Sequence, residues 1–476
     1  MNKNLGKQVR SGLGWDLGGT LFKQISTLVV TVVLARILSP EEFGIIGMAM
    51  VFISLSQVFV DVGFTQGLIQ NQNNTQTIYS SVFYINIILG LIVALSIYFL
   101  APLIGNFYES SQVTYVVQWL CFVPLISSFG SIQNALFVKK LDFKTLTLRN
   151  IIGTVIGGVV GVTMALLDYG VYALVGQQLT TAIFFTSILW WKSDWIPSIA
   201  FSYKEVRDLT NFSGYVFLDK LLQTFFNKLD TLFIGKYFSA ITLGFYSRAE
   251  SLNAQVIQYT TTSLGKVLFP AFSQLQNDSK LFESNYFKVF NIATFIATLA
   301  SGSLFFLADE IIINLLGEKW QPSVVIFQIL VFKLLVSPFL VLMGKSLLAK
   351  GFSKQKFQIN QIGRVVKLTP IYFGYMYGVH AFTVALVVCH GIVFLINMWT
   401  NHKYLKISFS IQLLSFLKPI IPFMIMVIVY YNFLPETNSY LLFLIFLIIQ
   451  FTYLYLLKNP GMYIVINLIK GYIKNK

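Results

Sequence analysis

The sequence predicts an all-α polytopic membrane protein with about fourteen transmembrane helices, each needing about 20 mainly apolar residues. Hydrophobic residues make up 56% of the 476-residue chain and charged residues 11%, whereas soluble domains carry about 25% charged residues. So few charged groups could not cover the surface of a soluble fold of this length. Composition therefore excludes a soluble globular protein, a disordered chain and a disulfide scaffold. Both cysteines, Cys121 and Cys389, lie in apolar runs and are expected to be packing residues.

Apolar windows define the predicted spans, which form two sets of six and a final pair. This division predicts an N-terminal six-helix lobe (1–191), a cytoplasmic linker (192–212) and a C-terminal six-helix lobe (213–401), with two extra helices and a basic tail in 402–476. The predicted spans are 13–38, 43–63, 79–104, 113–138, 148–167 and 171–191, then 213–236, 243–267, 287–307, 322–349, 361–377 and 379–401, and finally 419–433 and 439–457.

Lysine and arginine are concentrated in alternate connections between these spans, and this asymmetry sets the orientation of a membrane protein. It predicts both termini in the cytoplasm. The formal net charge is +15, but no basic stripe alternates with stacking aromatics outside the spans, so nucleic acid is not an expected partner. The basic connections contain Lys139, Lys140, Lys144 and Arg149; Lys192, Lys204 and Arg207; Lys266, Lys280 and Lys288; Lys350, Lys354, Lys356 and Arg364; and Lys403 and Lys406.

The two halves of the sequence resemble each other: 11–50 aligns with 211–250 without a gap. Because six spans per repeat leave both halves in the same orientation, we expect two parallel repeats that form two lobes around a central cavity. That is the architecture of an alternating-access transporter, with the last two helices outside the repeat. Matched positions include Ser39 with Ser239, Gly44 with Gly244, Lys139 with Lys350, and Tyr169-Gly170 with Tyr377-Gly378.

Four predicted spans carry a polar face, although a charge in the hydrocarbon core costs a few kcal/mol unless it faces protein or water. Such faces predict a hydrated cavity; the alternative is internal ion pairing that only fixes packing, such as Asp219 with Lys23. The residues are Asp16, Thr20, Lys23, Gln24, Thr27 and Thr31 in the first span; Ser54, Gln57, Asp61 and Thr65 in the second; Asp219, Lys220, Gln223, Asn227, Asp230 and Thr231, with Lys228 at the edge, in the seventh; and Ser247, Glu250, Asn253, Gln258 and Thr261 in the eighth.

No motif for a cofactor, a metal or catalysis is present. The sequence lacks a Gly-rich phosphate loop followed by Lys and Ser/Thr, so ATP hydrolysis is not expected. The histidines, His380, His390 and His402, lack metal-ligand spacing. A glycan polymerase or ligase would need a large external loop with acid/base residues, whereas the longest predicted external connection, 308–321, is short. We therefore expect no enzyme, no cofactor and no metal site.

Short motifs in both halves resemble those of bacterial polysaccharide transporters. Leu34-Ala35-Arg36-Ile37-Leu38-Ser39-Pro40-Glu41-Glu42-Phe43-Gly44 is similar to the signature between the first two helices, and Asp61-Val62-Gly63-Phe64 to the end of the second helix. In the second half, Asp230-Thr231-Leu232-Phe233-Ile234-Gly235 and Leu243-Gly244-Phe245-Tyr246-Ser247-Arg248-Ala249 are similar to the seventh-to-eighth helix signature. The resemblance, over about 13–401, is to the Wzx-type flippase branch of the multidrug/oligosaccharidyl-lipid/polysaccharide exporter (MOP) superfamily.

This resemblance implies a flippase of the bacterial cytoplasmic (inner) membrane, which moves an undecaprenyl-pyrophosphate-linked oligosaccharide for surface polysaccharide biosynthesis. Its expected partners are that lipid-linked oligosaccharide and the bilayer, with a polysaccharide polymerase and chain-length machinery as candidates. Related flippases are thought to bind the pyrophosphate through cavity cations and to draw on an ion gradient. The nearest alternative is an ion-coupled multidrug/cation antiporter of the same superfamily.

Roles follow for the polar residues of the predicted spans. Lys23 and Lys220 are the leading candidates to bind the anionic head, because buried ammonium groups pair well with phosphate. The carboxylates Asp61, Asp230 and Glu250 are the candidates for ion coupling, since their protonation could differ between inward and outward states. The further predicted substrate-binding residues are Gln24, Gln223, Asn227, Lys228 and Arg248.

Overall fold

The computed structural model describes residues 3–61, 63–71, 74–433 and 437–474, with side chains from Gly18 onward at most positions. Every regular element in these ranges is helical, which confirms the predicted all-α class. Contacts within the chain group it into two compact units, which we call unit 1 (Met1–Ser247) and unit 2 (Arg248–Lys476).

Unit 1 contains the first ten helices and the start of the eleventh. The predicted fourth span, 113–138, corresponds to three consecutive helices, α5 to α7, with a bend of 44° at Phe129–Gly130. The helices are α1 (Lys3–Ile37), α2 (Pro40–Asp61), α3 (Phe64–Gln70), α4 (Gln76–Tyr108), α5 (Ser111–Leu120), α6 (Phe122–Ser128), α7 (Ser131–Lys139), α8 (Phe143–Leu166), α9 (Val171–Lys192), α10 (Tyr203–Tyr237) and α11 (Ala240–Gln274).

Unit 2 contains the rest of α11 and the helices that follow it. The predicted eleventh span, 361–377, is interrupted, because α15 ends at Val366 and α16 begins at Thr369. The predicted basic tail is largely helical, as α19. The helices are α12 (Ser279–Phe306), α13 (Ala308–Leu316), a 3₁₀ turn (Glu318–Trp320), α14 (Ser323–Ala349), α15 (Ser353–Val366), α16 (Thr369–Leu405), α17 (Phe409–Phe433), α18 (Ser439–Leu456) and α19 (Pro460–Lys474).

By length and hydropathy, 10 helical segments of the described residues could cross a membrane, or 11 if the bent segment α5 to α7 is one span. Helices α10 and α11 are not among them; α10 carries Asp219, Lys220, Lys228 and Asp230. Large apolar side chains are exposed along α4, with Phe99 73% and Leu103 63% exposed. An apolar helix exposed in this way is suited to a lipid environment, and the chain is a multi-pass membrane protein.

The predicted linker 192–212 is irregular only over residues 193–202, since α10 begins at Tyr203. This segment is tied to the start of α4 by hydrogen bonds. The backbone N–H of Ser198 donates to Ser80 Oγ at 2.9 Å, and that of Ser202 donates to Ser81 Oγ at 2.8 Å. The connection between α9 and α10 is therefore an ordered part of unit 1.

Glycines of the predicted repeat occupy backbone conformations or contacts that other residues rarely tolerate. Gly170 before α9 and Gly378 within α16 both have positive φ, 57° and 88°, and both follow a tyrosine in the matched motif. A Cβ on Gly44 would overlap the backbone carbonyl of Ala240, and a Cβ on Gly244 would overlap that of Pro40. The starts of α2 and α11 therefore touch at Gly44 and Gly244, two positions that the predicted repeat matches with each other.

Candidate functional site

Unit 1 contains an open cavity of about 400 Å³ with a mixed polar and apolar lining. Its volume lies in the range of about 300–1,000 Å³ that is usual for ligand pockets. The described lining residues include two cations and no carboxylate. The polar lining residues are Gln57, Thr65, Gln66, Ser127, Ser131, Asn134, Arg149, Thr186 and Lys220.

Arg149 is held in this cavity by neutral amides. Its Nη1 donates to Asn134 Oδ1 at 2.9 Å, and its Nη2 donates to Asn150 Oδ1 at 2.9 Å. The centre of the guanidinium lies 5.2 Å from the ring centroid of Phe185, a cation–π contact. Because these partners carry no charge, they orient the guanidinium and leave its positive charge uncompensated by them.

The local sequence explains why Arg149 reaches the cavity. Asp142 caps α8, since its carboxylate accepts the Thr145 backbone N–H at 3.1 Å. Arg149 follows about two turns later on α8. A Cβ on Gly153 of the same helix would overlap the ring of Phe185, so the missing side chain lets α9 and Phe185 approach closely.

The two leading predicted substrate residues lie near Arg149 but differ in position. Lys220 on α10 is half-buried and lines the cavity. Lys23 on α1 is half-buried and lies within electrostatic range of Arg149, although it is not a lining residue. Beside it Gln24 is buried, and its Oε1 has no hydrogen-bond partner among the described residues. The structure thus brings cations of α1, α8 and α10 toward one region of unit 1.

The other predicted substrate residues do not line this cavity. Gln223 and Asn227 are exposed on α10, and Lys228 is half-buried within electrostatic range of Asp230. Arg248 is half-buried on α11.

The three predicted coupling carboxylates have different surroundings. Asp230 on α10 is half-buried and accepts a hydrogen bond from Tyr246 Oη at 3.0 Å. The side chain of Asp61 lies outside the described residues. Glu250, on α11 in unit 2, is paired with a cation inside the helix bundle.

That cation is Lys333 of α14. Its Nζ lies 2.8 Å from Oε1 and 3.0 Å from Oε2 of Glu250. The Lys333 side chain is only 8% exposed and that of Glu250 is 29% exposed. His390 of α16 lies within electrostatic range of Lys333, and its Nδ1 donates to the Leu386 carbonyl at 2.8 Å. A charge-assisted ion pair therefore joins α11 and α14.

Sequence reasoning missed two residues of these sites. Arg149 lies at the very start of the predicted span 148–167, so it was counted with the basic connection before that span. In the structure it belongs to α8 and lines the cavity. Lys333 interrupts the apolar span 322–349 and was overlooked. A lone lysine in such a span is itself a signal of a functional or paired charge.

Comparison with known families decides the class of the protein. A family model described as "Polysaccharide biosynthesis protein" matches residues 33–325, which include Arg149, Lys220, Asp230 and Glu250. The chain belongs to this family. The predicted resemblance to a family of polysaccharide biosynthesis proteins is thereby confirmed.

The names of curated relatives agree with the description of this polysaccharide biosynthesis family. The chain is 23% identical over 423 residues to the teichuronic acid biosynthesis protein TuaB of Bacillus subtilis, covering 87% of this chain and 86% of TuaB. It is 22% identical over 375 residues to the lipopolysaccharide biosynthesis protein WzxC of Escherichia coli, covering 78% and 76%. It is 24% identical over 314 residues to the succinoglycan biosynthesis transport protein ExoT of Rhizobium meliloti, covering 66% and 64%. Of these relatives, ExoT is named a transport protein, in line with the predicted class.

Solved structures show the same fold. The lipid II flippase MurJ in an inward closed conformation matches with a TM-score of 0.74 at 17% identity, covering 95% of this chain and 99% of that chain. An inward-facing multidrug resistance MATE transporter of the MOP superfamily matches with a TM-score of 0.64 at 13% identity, covering 81% and 94%. At these identities the likeness establishes the fold only.

Proposed function

We propose that the protein flips an undecaprenyl-pyrophosphate-linked oligosaccharide across the cytoplasmic membrane by alternating access, and so supplies surface polysaccharide biosynthesis. The observation that carries this proposal is the unit 1 cavity, whose described lining residues include Arg149 and Lys220 together with several amides and hydroxyls. Membership of a polysaccharide biosynthesis family supplies the class of cargo. A polymerase and chain-length machinery would use the translocated product.

The cavity chemistry suits both parts of such a head group. A guanidinium presents a planar set of donors to phosphate oxygens, and an ammonium adds a point charge. The amides of Gln57, Gln66 and Asn134 match sugar hydroxyls, since they both donate and accept hydrogen bonds. A polyprenyl chain needs no polar path, because it can stay in the lipid. The two cations of the lining suit an anionic head group better than an organic cation, and this favours the flippase over the antiporter.

We further propose that Glu250 contributes to ion coupling through its pair with Lys333. Protonation of Glu250 would leave an uncompensated ammonium in the bundle, so α11 and α14 would favour a different arrangement. Asp61 and Asp230 stay candidates for the same role.

The full proposal includes fourteen spans, two parallel repeats and cytoplasmic termini. Two pairs of matched contacts support the repeat. Lys139 Nζ donates to the Asn71 carbonyl just after α3, and Lys350 Nζ donates to the Gln276 carbonyl just after α11, both at 2.6 Å. The reciprocal glycine contacts between the starts of α2 and α11 form the other pair.

These glycine contacts give a direct test of the repeat. Gly44→Ala and Gly244→Ala each place a Cβ against a backbone carbonyl that cannot rotate away. We expect each variant to lower the free energy of unfolding by about 1–3 kcal/mol, by similar amounts, as measured by thermal unfolding in detergent. Gly214→Ala is the control, because a Cβ there meets nothing within 4 Å. Clearly unequal losses at 44 and 244 would argue against equivalent roles.

The function itself is tested by deleting the gene and extracting lipid-linked oligosaccharides from the membranes. We expect complete units to accumulate on the cytoplasmic face while surface polysaccharide is lost. Arg149→Gln and Lys220→Gln should each restore export about tenfold less well than the wild-type gene, the equivalent of one charge-assisted hydrogen bond. Lys144→Gln is the matched control, since Lys144 is exposed on α8 and does not line the cavity.

Two results would contradict this proposal. Unchanged glycan lipids in the deletion strain, with increased sensitivity to cationic dyes, would establish the antiporter. Full export by the Arg149→Gln and Lys220→Gln variants would remove the cavity from the substrate path.

A further inference from the structure

Two lysines of unit 2 lie side by side where α14 ends and α15 begins. Lys345 is in the last two turns of α14, and Lys356 is in the first turn of α15. The Cε and Nζ atoms of Lys356 lie 2.8 and 2.9 Å from the point that a Cβ of Gly344 would occupy. The absent side chain of Gly344 thus creates a notch on α14, next to Lys345, into which the Lys356 ammonium fits.

The two ammonium groups lie close together, and the part of the chain that the structure describes provides no compensating partner for them. They lie within electrostatic range of each other, and both side chains are half-buried. Among the described residues, neither is found in a hydrogen bond or an ion pair, and no carboxylate acts on Lys356. Two like charges held together in a partly buried place repel each other unless an anion joins them.

Two other lysines of unit 2 differ from this pair, because the positive charge of each has a partner within the unit. Lys350, five residues after Lys345, donates to the Gln276 carbonyl at 2.6 Å and lies 4.7 Å from the ring centroid of Phe282. Lys333, on the same helix, is paired with Glu250.

The position of the pair indicates what kind of anion would reach it. Helix α14 (Ser323–Ala349) and the segment Ser353–Leu405 are both apolar enough to cross a membrane, and the short turn 350–352 joins them. Residues within about one or two turns of such a junction lie at the depth of lipid head groups, where lysine side chains extend toward phosphate. The anionic group at that depth is the phosphate of a lipid.

We propose that Lys345 and Lys356 form a phosphate-binding subsite of unit 2 that takes the phosphate or diphosphate group of a membrane lipid. Two ammonium groups supply several donors to adjacent phosphate oxygens, and the anion removes their mutual repulsion. Identification of the ligand as the transported diphosphate rests on the proposed function, whereas the phosphate site does not. The other source of the same chemistry is an anionic phospholipid of the bilayer.

The repeat gives this subsite a counterpart in unit 1. The offset that matches Lys139 with Lys350 also matches Asn134 with Lys345. Asn134 is the amide that orients Arg149 in the unit 1 cavity. At this matched position of the fourth span, the first half has Asn134, which orients a cation. The second half has Lys345, which is itself a cation.

The test uses the full-length protein in nanodiscs of phosphatidylcholine and measures binding of two probes, undecaprenyl diphosphate and phosphatidylglycerol, by native mass spectrometry. We expect Lys345→Gln and Lys356→Gln each to weaken binding of at least one probe about tenfold, the equivalent of one charge-assisted hydrogen bond. Lys354→Gln is the matched control and should bind like the wild type, because Lys354 is exposed on the same turn of α15.

Gly344→Ala separates charge from position. Its new Cβ displaces only the flexible tip of Lys356, so both charges and the fold are kept. We expect an intermediate loss of binding, with a thermal unfolding midpoint close to that of the wild type.

Each result has a distinct meaning. Weaker binding of the diphosphate lipid supports the site with the transported lipid as its ligand, and weaker binding of phosphatidylglycerol alone supports it with a bilayer lipid. If deletion of the gene leaves lipid-linked glycans unchanged while these variants still lose phosphatidylglycerol, the proposed function fails and the subsite stands. The proposal of a subsite would be overturned if both probes bound with wild-type affinity to Lys345→Gln, to Lys356→Gln and to the variant that combines the two substitutions.

Discussion

The two units handle a cation inside the helix bundle in opposite ways. In unit 1, the guanidinium of Arg149 is oriented by the neutral amides of Asn134 and Asn150 and lines a cavity. In unit 2, the ammonium of Lys333 is neutralised by the carboxylate of Glu250 at 2.8 Å. The first arrangement keeps a positive charge available to an anionic ligand. The second arrangement neutralises the charge. The resulting ion pair joins two helices and is sensitive to protonation of the carboxylate.

The largest expected effect comes from breaking the unit 2 pair at its carboxylate. Glu250→Gln leaves the more buried partner, Lys333, without a counter-charge. Because Glu250 is partly exposed, we expect a loss of about 2–3 kcal/mol in the free energy of unfolding, below the range for fully buried pairs. Thermal and denaturant unfolding in detergent measure this loss.

The double variant Glu250→Gln/Lys333→Met distinguishes charge from packing. It should recover most of the stability lost in the single variant, because no uncompensated ammonium remains. It should not recover ion-dependent export if the carboxylate couples transport. A double variant as unstable as Glu250→Gln would mean that the pair acts through shape rather than charge.

The unit 1 arrangement predicts a smaller, function-specific effect. Arg149→Lys keeps the charge but loses the planar donor set that engages Asn134 and Asn150. We expect stability near that of the wild type and polysaccharide export reduced about threefold, between the wild type and Arg149→Gln. Export assays in the complemented deletion strain measure it. Equal export by the Lys and Gln variants would show that geometry, and not charge, is what the cavity requires.

The smallest effect is expected at an exposed pair, which sharpens the contrast with the buried one. Lys236 Nζ donates to Glu109 Oε1 at 2.8 Å, and Glu109 is 81% exposed at the end of α4. This hydrogen bond and the charge of Lys236 lower the pKa of the Glu109 carboxyl below its ordinary value. A carboxyl with a lowered pKa in the folded state stabilises the protein above its unfolded pKa, and the stabilisation disappears as the pH falls through the folded pKa.

Glu109→Gln should therefore lower the unfolding midpoint slightly at pH 7 and not at all well below pH of about 4, near the ordinary value for glutamate. High salt should reduce the difference at pH 7, because exposed pairs are screened. A difference that grows as the pH falls would have the wrong sign for this pair.

Much of the fold was predictable because it depends on local patterns. Apolar windows located most helices, and the paired Tyr-Gly motifs located Gly170 and Gly378, where positive φ requires glycine. Boundaries were less predictable. The helix break within 113–138 lies at Gly130, and the break between Val366 and Thr369 lies just before Pro370; these local signals fall inside windows whose mean hydropathy still favours one span.

The candidate site was predicted only in part, since polarity along one helix does not reveal its partners. Lys220 lines the cavity, whereas Gln223 and Asn227 on the same predicted polar face do not, and the predicted role of all three in substrate binding stays a prediction. Lys23 lies near Arg149 because α1 packs closely against α8. The contact is so close that a Cβ on Gly19 of α1 would overlap Thr147 of α8.

The sequence by itself determined the membrane-spanning all-α class, the resemblance between its halves and the family, because each depends on hydropathy, spacing or short motifs along one chain. Tertiary structure alone decided which partner each buried cation meets. Arg149 near the start of α8 joins Asn134 of α7, and Lys333 of α14 joins Glu250 at a separation of 83 residues. Such pairs depend on how helices distant in the chain are rotated against each other, and a one-dimensional pattern does not contain that rotation.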